Sequence, residues 1–304
     1  MASQQTTLKE IYQQLKSSLE IAEAEQEARV ILQTILGLSP SQLITEDTQI
    51  ITKNQAAHIY SVRDQRNKTR TPLAYLLEEA AFGDMMLFVN QDVLIPRPET
   101  ELLVKQTLAE IKIRDTHQPR ILDLGTGSGC IAIALKRALP AARVYASDIS
   151  KAALTVAAIN AKQYEVDIEF VMGDYLEPFI GKSRSPVALP VMRGKPPYFD
   201  VIVSNPPYIS EADYKELEPE VQHEPKHALT GFPYKQIKNQ VLEAKLLEEG
   251  GFMAFEFGQG QRPQLEEIFP QAKFYKDLEN NDRFLVWKND PKSVMGFKPF
   301  DKGA

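Results

Sequence analysis

The 304 residues carry a net charge of −6, with 43% hydrophobic and 25% charged side chains and a single cysteine, Cys130. This is the composition of an ordinary folded protein, long enough for about two domains at ~150 residues each. It excludes an internal disulfide and a cysteine-based zinc site, argues against non-specific nucleic-acid binding, and holds no apolar run of the ~18 residues that a membrane span needs. Met1 to Glu10 has neither a basic segment nor an apolar core, so no signal peptide is expected and the chain is expected in the cytoplasm, as a monomer without metal.

Residues 1–80 are predicted to be helical. Leu8, Ile11, Leu15 and Leu19 follow helical spacing, as do Ala28, Ile31, Leu32, Ile35 and Leu36 before Gly37. Further helices are predicted over 54–63 and 72–77. His58 reads as a structural or surface histidine. Arg63, Arg66, Lys68 and Arg70 form one basic cluster, and Lys182, Arg184, Arg193 and Lys195 another. Both read as solvated surface, with docking of an acidic partner as the sharper alternative.

Residues 81–95 are predicted to be a β-hairpin linker with Asn90-Gln91-Asp92 at its tip. The X-Pro pairs of Ile95-Pro96-Arg97-Pro98-Glu99-Thr100 keep the chain extended before a helix near 99–112. From 119 onward strands and helices alternate. Strands are predicted over 120–124, 143–147, 168–172, 199–204, 251–257, 273–278 and 283–288, and helices near 129–139, 151–163, 235–249 and 261–269. That alternation predicts an α/β domain over 96–288: seven strands, mostly parallel, with an antiparallel edge pair. Residues 289–304 are predicted to be a loose tail.

The chemistry gathers at four strand ends. Ile121-Leu122-Asp123-Leu124 runs into Gly125-Thr126-Gly127-Ser128-Gly129, a strand–loop–helix sequence that brings backbone against a ligand. Asp148 ends the second strand, placed for the hydroxyls of a ribose. Asp174 and Tyr175 end the third, an acceptor and a ring for an adenine. Asn205-Pro206-Pro207-Tyr208 ends the fourth, where two prolines stop the ladder and hold a rigid turn. An Asn amide, carbonyls without neighbouring donors and an aromatic ring suit a planar amide or amidine nitrogen. The G-x-G-x-G spacing departs from the G-x-G-x-x-G of dinucleotide sites. Asp123 upstream would repel a pyrophosphate and tolerate a cationic ligand; holding the turn through loop amides is its other reading.

This constellation resembles the Rossmann-like S-adenosylmethionine-dependent methyltransferases, and within them those that methylate planar nitrogens. Pro72-Leu73-Ala74-Tyr75-Leu76, Leu94 to Glu101, Ile121 to Gly129, Val203 to Tyr208, and Glu224-Pro225 with Ala228-Leu229 resemble the bacterial release-factor glutamine methyltransferases, the HemK family, over about residues 5–288. The resemblance implies methyl transfer from S-adenosyl-L-methionine to the glutamine amide in the Gly-Gly-Gln loop of peptide-chain release factors, with the helical domain recognising the substrate. It implies cofactor contacts from Gly125, Thr126, Gly127, Ser128, Gly129, Asp148, Asp174, Tyr175 and Asn205, and a glutamine site made by Asn205, Pro206, Pro207 and Tyr208. Asn205, Pro206 and Tyr208 are the implied catalytic groups.

An adenine-amino methyltransferase is the alternative acceptor class. It calls for a broad basic face, whereas residues 1–95 hold eight Lys/Arg against twelve Asp/Glu. A nicotinamide oxidoreductase and a non-catalytic binder are the readings from other classes. Three departures from the family pattern stand out: Glu78 where glycine is usual, with Ala81-Phe82 for the nearby Glu-Phe pair; a short Thr230-Gly231-Phe232-Pro233-Tyr234 segment; and a Pro-rich insertion over 178–198.

Overall fold

The computed structural model describes residues 6–45, 47–180 and 199–290. The tail beyond 290 and the second basic cluster, in the part of the insertion over 181–198, lie outside the described residues. The chain divides into two units, one running to Glu79 and joined by Leu217–His223, the other holding the remainder. Among the described residues no helix is long and apolar enough to cross a membrane.

In the first unit, a two-residue ladder pairs β1 (Thr6–Thr7) with β2 (Ile50–Ile51). It accompanies α1 (Leu8–Ser18), α2 (Ala24–Leu36), α3 (Pro40–Thr45), α4 (Lys53–Thr69) and α5 (Leu73–Leu77). Thr7 and Thr52 close capping boxes with Glu10 and Gln55, so both helix starts are written locally. Leu8, Ile11, Leu15, Ala28, Ile31, Leu32 and Ile59 share one core.

Part of the first basic cluster departs from the solvated surface expected, although Lys68 is exposed as that reading has it. Arg66 is 5% exposed, its guanidinium paired with Glu27 and with Glu220, each at 2.9 Å. Arg70 reaches Glu220 as well, at 2.6 Å. These ion pairs bind Leu217–His223 into the unit and engage Arg66 and Arg70 within it.

Helix α5 ends on Glu78, whose left-handed φ of 57° lets its N–H bond the Ala74 carbonyl. A side chain costs about 1 kcal/mol in that conformation and glycine is free of the cost. Glu78→Gly is therefore expected to raise unfolding free energy by about 1 kcal/mol, read as a shift of the urea midpoint at unchanged slope.

In the second unit, β3 (Glu79–Phe82) and β4 (Met85–Phe88) form the hairpin, turned at Gly83-Asp84 with Gly83 at φ 60°. The tip is thus earlier than the sequence suggested. Asn90 instead makes a side-chain turn of its own: its Oδ1 accepts from the Asp92 N–H at 3.0 Å.

Next come α6 (Pro98–Arg114), β5 (Arg120–Leu124), α7 (Cys130–Ala138), β6 (Arg143–Asp148), α8 (Lys151–Gln163), β7 (Glu169–Met172) and β8 (Phe199–Ser204). They are followed by α9 (Lys226–Leu229), α10 (Tyr234–Glu243), β9 (Leu247–Glu256), α11 (Arg262–Ile268), β10 (Lys273–Lys276) and β11 (Asp282–Lys288).

The seven large strands form one sheet in the order β7-β6-β5-β8-β9-β11-β10. Only the β9-β11 and β11-β10 pairs are antiparallel. This is the Rossmann-like methyltransferase arrangement. Period-two alternation feeds two cores. Ile121, Val144, Ala146, Val201 and Val203 face one side with α6 and α7. Leu122, Leu124, Tyr145, Ile202 and Met253 face the other with α10 and α11.

Order reverses between β5 and β8, so a crevice opens beyond their carboxyl ends, where open α/β sheets bind ligands. One boundary differs markedly: the helix expected to 249 stops at Glu243. Lys245 turns left-handed at φ 51°, and Leu247 already pairs with Phe199.

Candidate active site

The crevice holds a cavity of about 620 Å³, within the range of small-molecule sites. Its floor is the β5–α7 loop. The N–H groups of Gly125 and Thr126 both donate to the Ser147 carbonyl, at 2.8 and 2.9 Å, which bends the loop back over β6. Gly125 and Gly127 have φ of 74° and 54°, and a Cβ on either would meet open space. The restriction to glycine is therefore conformational, and the loop offers bare backbone to a ligand. Asn160, on α8 and fully buried, ties the loop to the hairpin: its Nδ2 donates to the carbonyls of Ser128 and Phe88, each at 2.9 Å.

Asp148 stands on the cavity wall. Its Oδ2 accepts from the Gly127 N–H at 3.0 Å and its Oδ1 from the Ser150 N–H at 2.8 Å. Two amides fix the carboxylate, and its remaining lone pairs suit the vicinal hydroxyls of a ribose. Gly173, Asp174 and Tyr175 line the next stretch. The Tyr175 ring packs edge-on against Phe232 at 5.1 Å, so the short 230–234 segment props this wall. Burial pushes the Tyr175 phenol up to about 12, which keeps it a neutral face. Open glycine backbone, a carboxylate held by two amides and a neutral ring together fit an adenosyl group.

Asp123 sits behind the loop, fully buried. Its Oδ2 accepts from the Thr126 hydroxyl at 2.6 Å and the Ala132 N–H at 3.2 Å. Burial raises its pKa to about 7 against those two hydrogen bonds. It holds the turn, the plainer of its two readings. Gly129 likewise serves packing, since a Cβ there would approach the Ala157 Cβ to 3.1 Å where α7 meets α8. Of the loop residues, Gly125, Thr126, Gly127 and Ser128 line the cavity and Gly129 does not.

The Asn-Pro-Pro-Tyr turn closes the other side. Asn205 and Pro207 line the cavity, whereas Pro206 is buried and Tyr208 stands behind. The Asn205 Nδ2 donates to Thr100 Oγ1 at 2.9 Å, which leaves Oδ1 as the acceptor that Asn205 brings to the cavity. Tyr208 is gripped at both ends: its hydroxyl donates to Glu256 Oε1 at 3.3 Å, and its carbonyl accepts from Gln261 Nε2 at 2.9 Å. Glu256 is 1% exposed, and burial lifts its pKa to about 7.

Sequence reasoning missed the wall made by Leu94, Pro96, Arg97 and Thr100. Glu224, 4% exposed, anchors that wall: its carboxylate accepts from the Ile95 N–H at 3.2 Å and from the Arg97 guanidinium. The two prolines flanking Arg97 were the available signal, since they fix an extended path that needs an anchor.

Two family descriptions match the chain: "PrmC N-terminal domain" over residues 6–77 and "Methyltransferase small domain" over residues 98–230. A release factor glutamine methyltransferase of Chlorobaculum tepidum is 37% identical over 278 residues, 87% of this chain and 90% of that protein. The protein of that name from Thermodesulfovibrio yellowstonii is 34% identical over 86% of this chain and 91% of its own length. That of Bacillus subtilis is 33% identical over 93% of this chain and its whole length. With such identity across both units and the loop, carboxylate and turn assembled around one crevice, the chain belongs to the release factor glutamine methyltransferase family.

Proposed function

We propose that the chain transfers a methyl group from S-adenosyl-L-methionine to the side-chain amide nitrogen of the glutamine in the Gly-Gly-Gln loop of peptide-chain release factors. The observation that carries this reading is the Asn205 amide, whose nitrogen is held by Thr100 and whose oxygen remains to accept. S-adenosyl-L-methionine, when bound, supplies an electrophilic methyl carbon on sulfonium. Gly125, Thr126, Gly127, Ser128, Asp148, Asp174 and Tyr175 would hold it.

An amide nitrogen is a weak nucleophile because its lone pair is delocalised into the carbonyl. In this reading the Asn205 Oδ1 and the Pro206 carbonyl accept its two hydrogens and raise its electron density. Tyr208, held behind the turn by Glu256 and Gln261, would back the wall against which the amide is aimed. The acceleration comes from positioning and water exclusion. The nitrogen becomes acidic once methylated and releases its proton to water, so no strong base is needed. Glu256, engaged with Thr100 and Tyr208, is not assigned that task.

The match of residues 6–77 to the PrmC N-terminal domain favours a protein acceptor over an adenine amino group. A monomeric, cytoplasmic enzyme without stable nucleic-acid binding belongs to the same proposal. The test is incubation with purified release factor and methyl-labelled S-adenosyl-L-methionine, followed by peptide mass mapping. Label on the glutamine of Gly-Gly-Gln is expected; an unlabelled release factor, or label on another residue, overturns the reading.

A further inference from the structure

Two residues outside the loop and the turn connect the turn's working side chains. Thr100 lies in the first turn of α6 and Glu256 at the end of β9, and each is 1% exposed. The Thr100 hydroxyl donates to Glu256 Oε2 at 2.7 Å and accepts from Asn205 Nδ2 at 2.9 Å. The other carboxylate oxygen, Oε1, accepts from the Tyr208 hydroxyl at 3.3 Å. One carboxylate thus reaches Tyr208 directly and Asn205 through a single hydroxyl.

The chain has a direction. The Thr100 hydroxyl donates its proton to Glu256 Oε2 at 2.7 Å, so that proton is committed to the carboxyl group. What remains on Thr100 toward Asn205 is a lone pair, and only the NH₂ end of the amide satisfies it. The two ends of an Asn amide have nearly the same shape, so packing alone selects between them weakly. Flipped, Asn205 would turn an N–H toward a substrate that itself arrives with N–H groups.

A buried carboxylate is expensive to keep in a fold. Among the described residues the Glu256 carboxylate is bonded by the Thr100 and Tyr208 hydroxyls, and both lead to the turn. Burial raises the Glu256 pKa, while the Thr100 hydrogen bond, the Arg283 charge and the Tyr208 hydrogen bond favour the ionised form.

We infer that Thr100 and Glu256 are positioning residues that set the polarity of the Asn205 amide, so that its oxygen rather than its nitrogen meets the amide hydrogens of the substrate, while the same carboxylate fixes Tyr208. This rests on the glutamine-methylation reading above. It adds that the chemistry of the turn is decided by a hydroxyl on α6.

The test compares wild type, Thr100→Val and Thr100→Ser on purified release factor, with kcat and KM separated and the Kd of S-adenosylhomocysteine measured by calorimetry. Thr100→Val keeps the branched shape and removes the hydroxyl. It is expected to lower kcat by roughly 10- to 100-fold, with Kd for S-adenosylhomocysteine close to wild type. Thr100→Ser restores the hydroxyl and is expected to recover most of the turnover. A merely structural link between α6 and β9 would lower stability and leave kcat per folded molecule in place.

Thr100→Ala, which introduces no bulk, takes the place of the valine variant if that fails to fold. Wild-type kcat in the hydroxyl-less variant overturns the inference, as does a Thr100→Ser variant as slow as Thr100→Val. A wild-type enzyme that leaves the release factor unmodified overturns the parent reading instead, and this inference with it.

Discussion

Asn205→Ala is expected to lower turnover on release factor by roughly 10²- to 10³-fold, the cost of removing one preorganised hydrogen-bonding group at a reacting centre. The side chain is an acceptor whose other end is tied down by Thr100, so its oxygen is held in place before substrate arrives. Deleting it leaves the substrate amide with only backbone to accept its hydrogens, and nitrogen keeps the weak nucleophilicity of a free carboxamide. Little else should change. The Gly125 and Thr126 amides still bond Ser147, and Asp148 still bonds the Gly127 and Ser150 amides. Calorimetry with S-adenosylhomocysteine should therefore give an affinity near that of wild type, while single-turnover methylation is slowed. Near-normal turnover in this variant would end the account of the turn as the reacting centre.

The strand ends that carry this chemistry were legible because each is a local pattern. A short apolar run followed by glycines, by Asp148, by Asp174 or by Asn-Pro-Pro-Tyr says where a strand must stop and what stands there. Parallel order then follows from the helices between them. What stayed hidden depends on contacts that no period in the sequence records. Thr100 meets Asn205 across 105 residues and Glu256 across 156, so the network behind the turn appears only once α6, β8 and β9 are stacked. Arg66 finds Glu220 across 154 residues, which is why Leu217–His223 could not be assigned to the helical unit and why a buried arginine read as surface. The α10 boundary failed for a related reason. Leu246 and Leu247 look like another helical turn, but the buried strand β8 offers Leu247 a partner in Phe199, and the ladder wins. Gly129 carries a demand that its place in the G-x-G-x-G pattern does not record: its φ of 84° and the close approach of α7 to α8, where a Cβ would come within 3.1 Å of the Ala157 Cβ, both call for glycine.

Asp148→Ala is expected to weaken binding of S-adenosyl-L-methionine and S-adenosylhomocysteine by on the order of 10²-fold, the worth of one or two hydrogen bonds to a charged group. The carboxylate has two tasks at once. It caps the Gly127 amide, which shapes the glycine loop, and the Ser150 amide, which starts α8. It also presents lone pairs to the ribose. Asp148→Asn tests this dual role more sharply than alanine does. A neutral amide has a single oxygen, so whichever way it turns, its NH₂ group confronts one of the two backbone N–H donors. Asparagine should therefore come close to alanine in lost affinity, despite its matching shape. The kinetic signature should be the opposite of that for Asn205: a raised KM for the cofactor, with kcat largely recovered at saturation, because the turn that holds the substrate amide is untouched. An Asp148→Asn variant with wild-type Kd would show that the carboxylate charge is not what the ribose site requires.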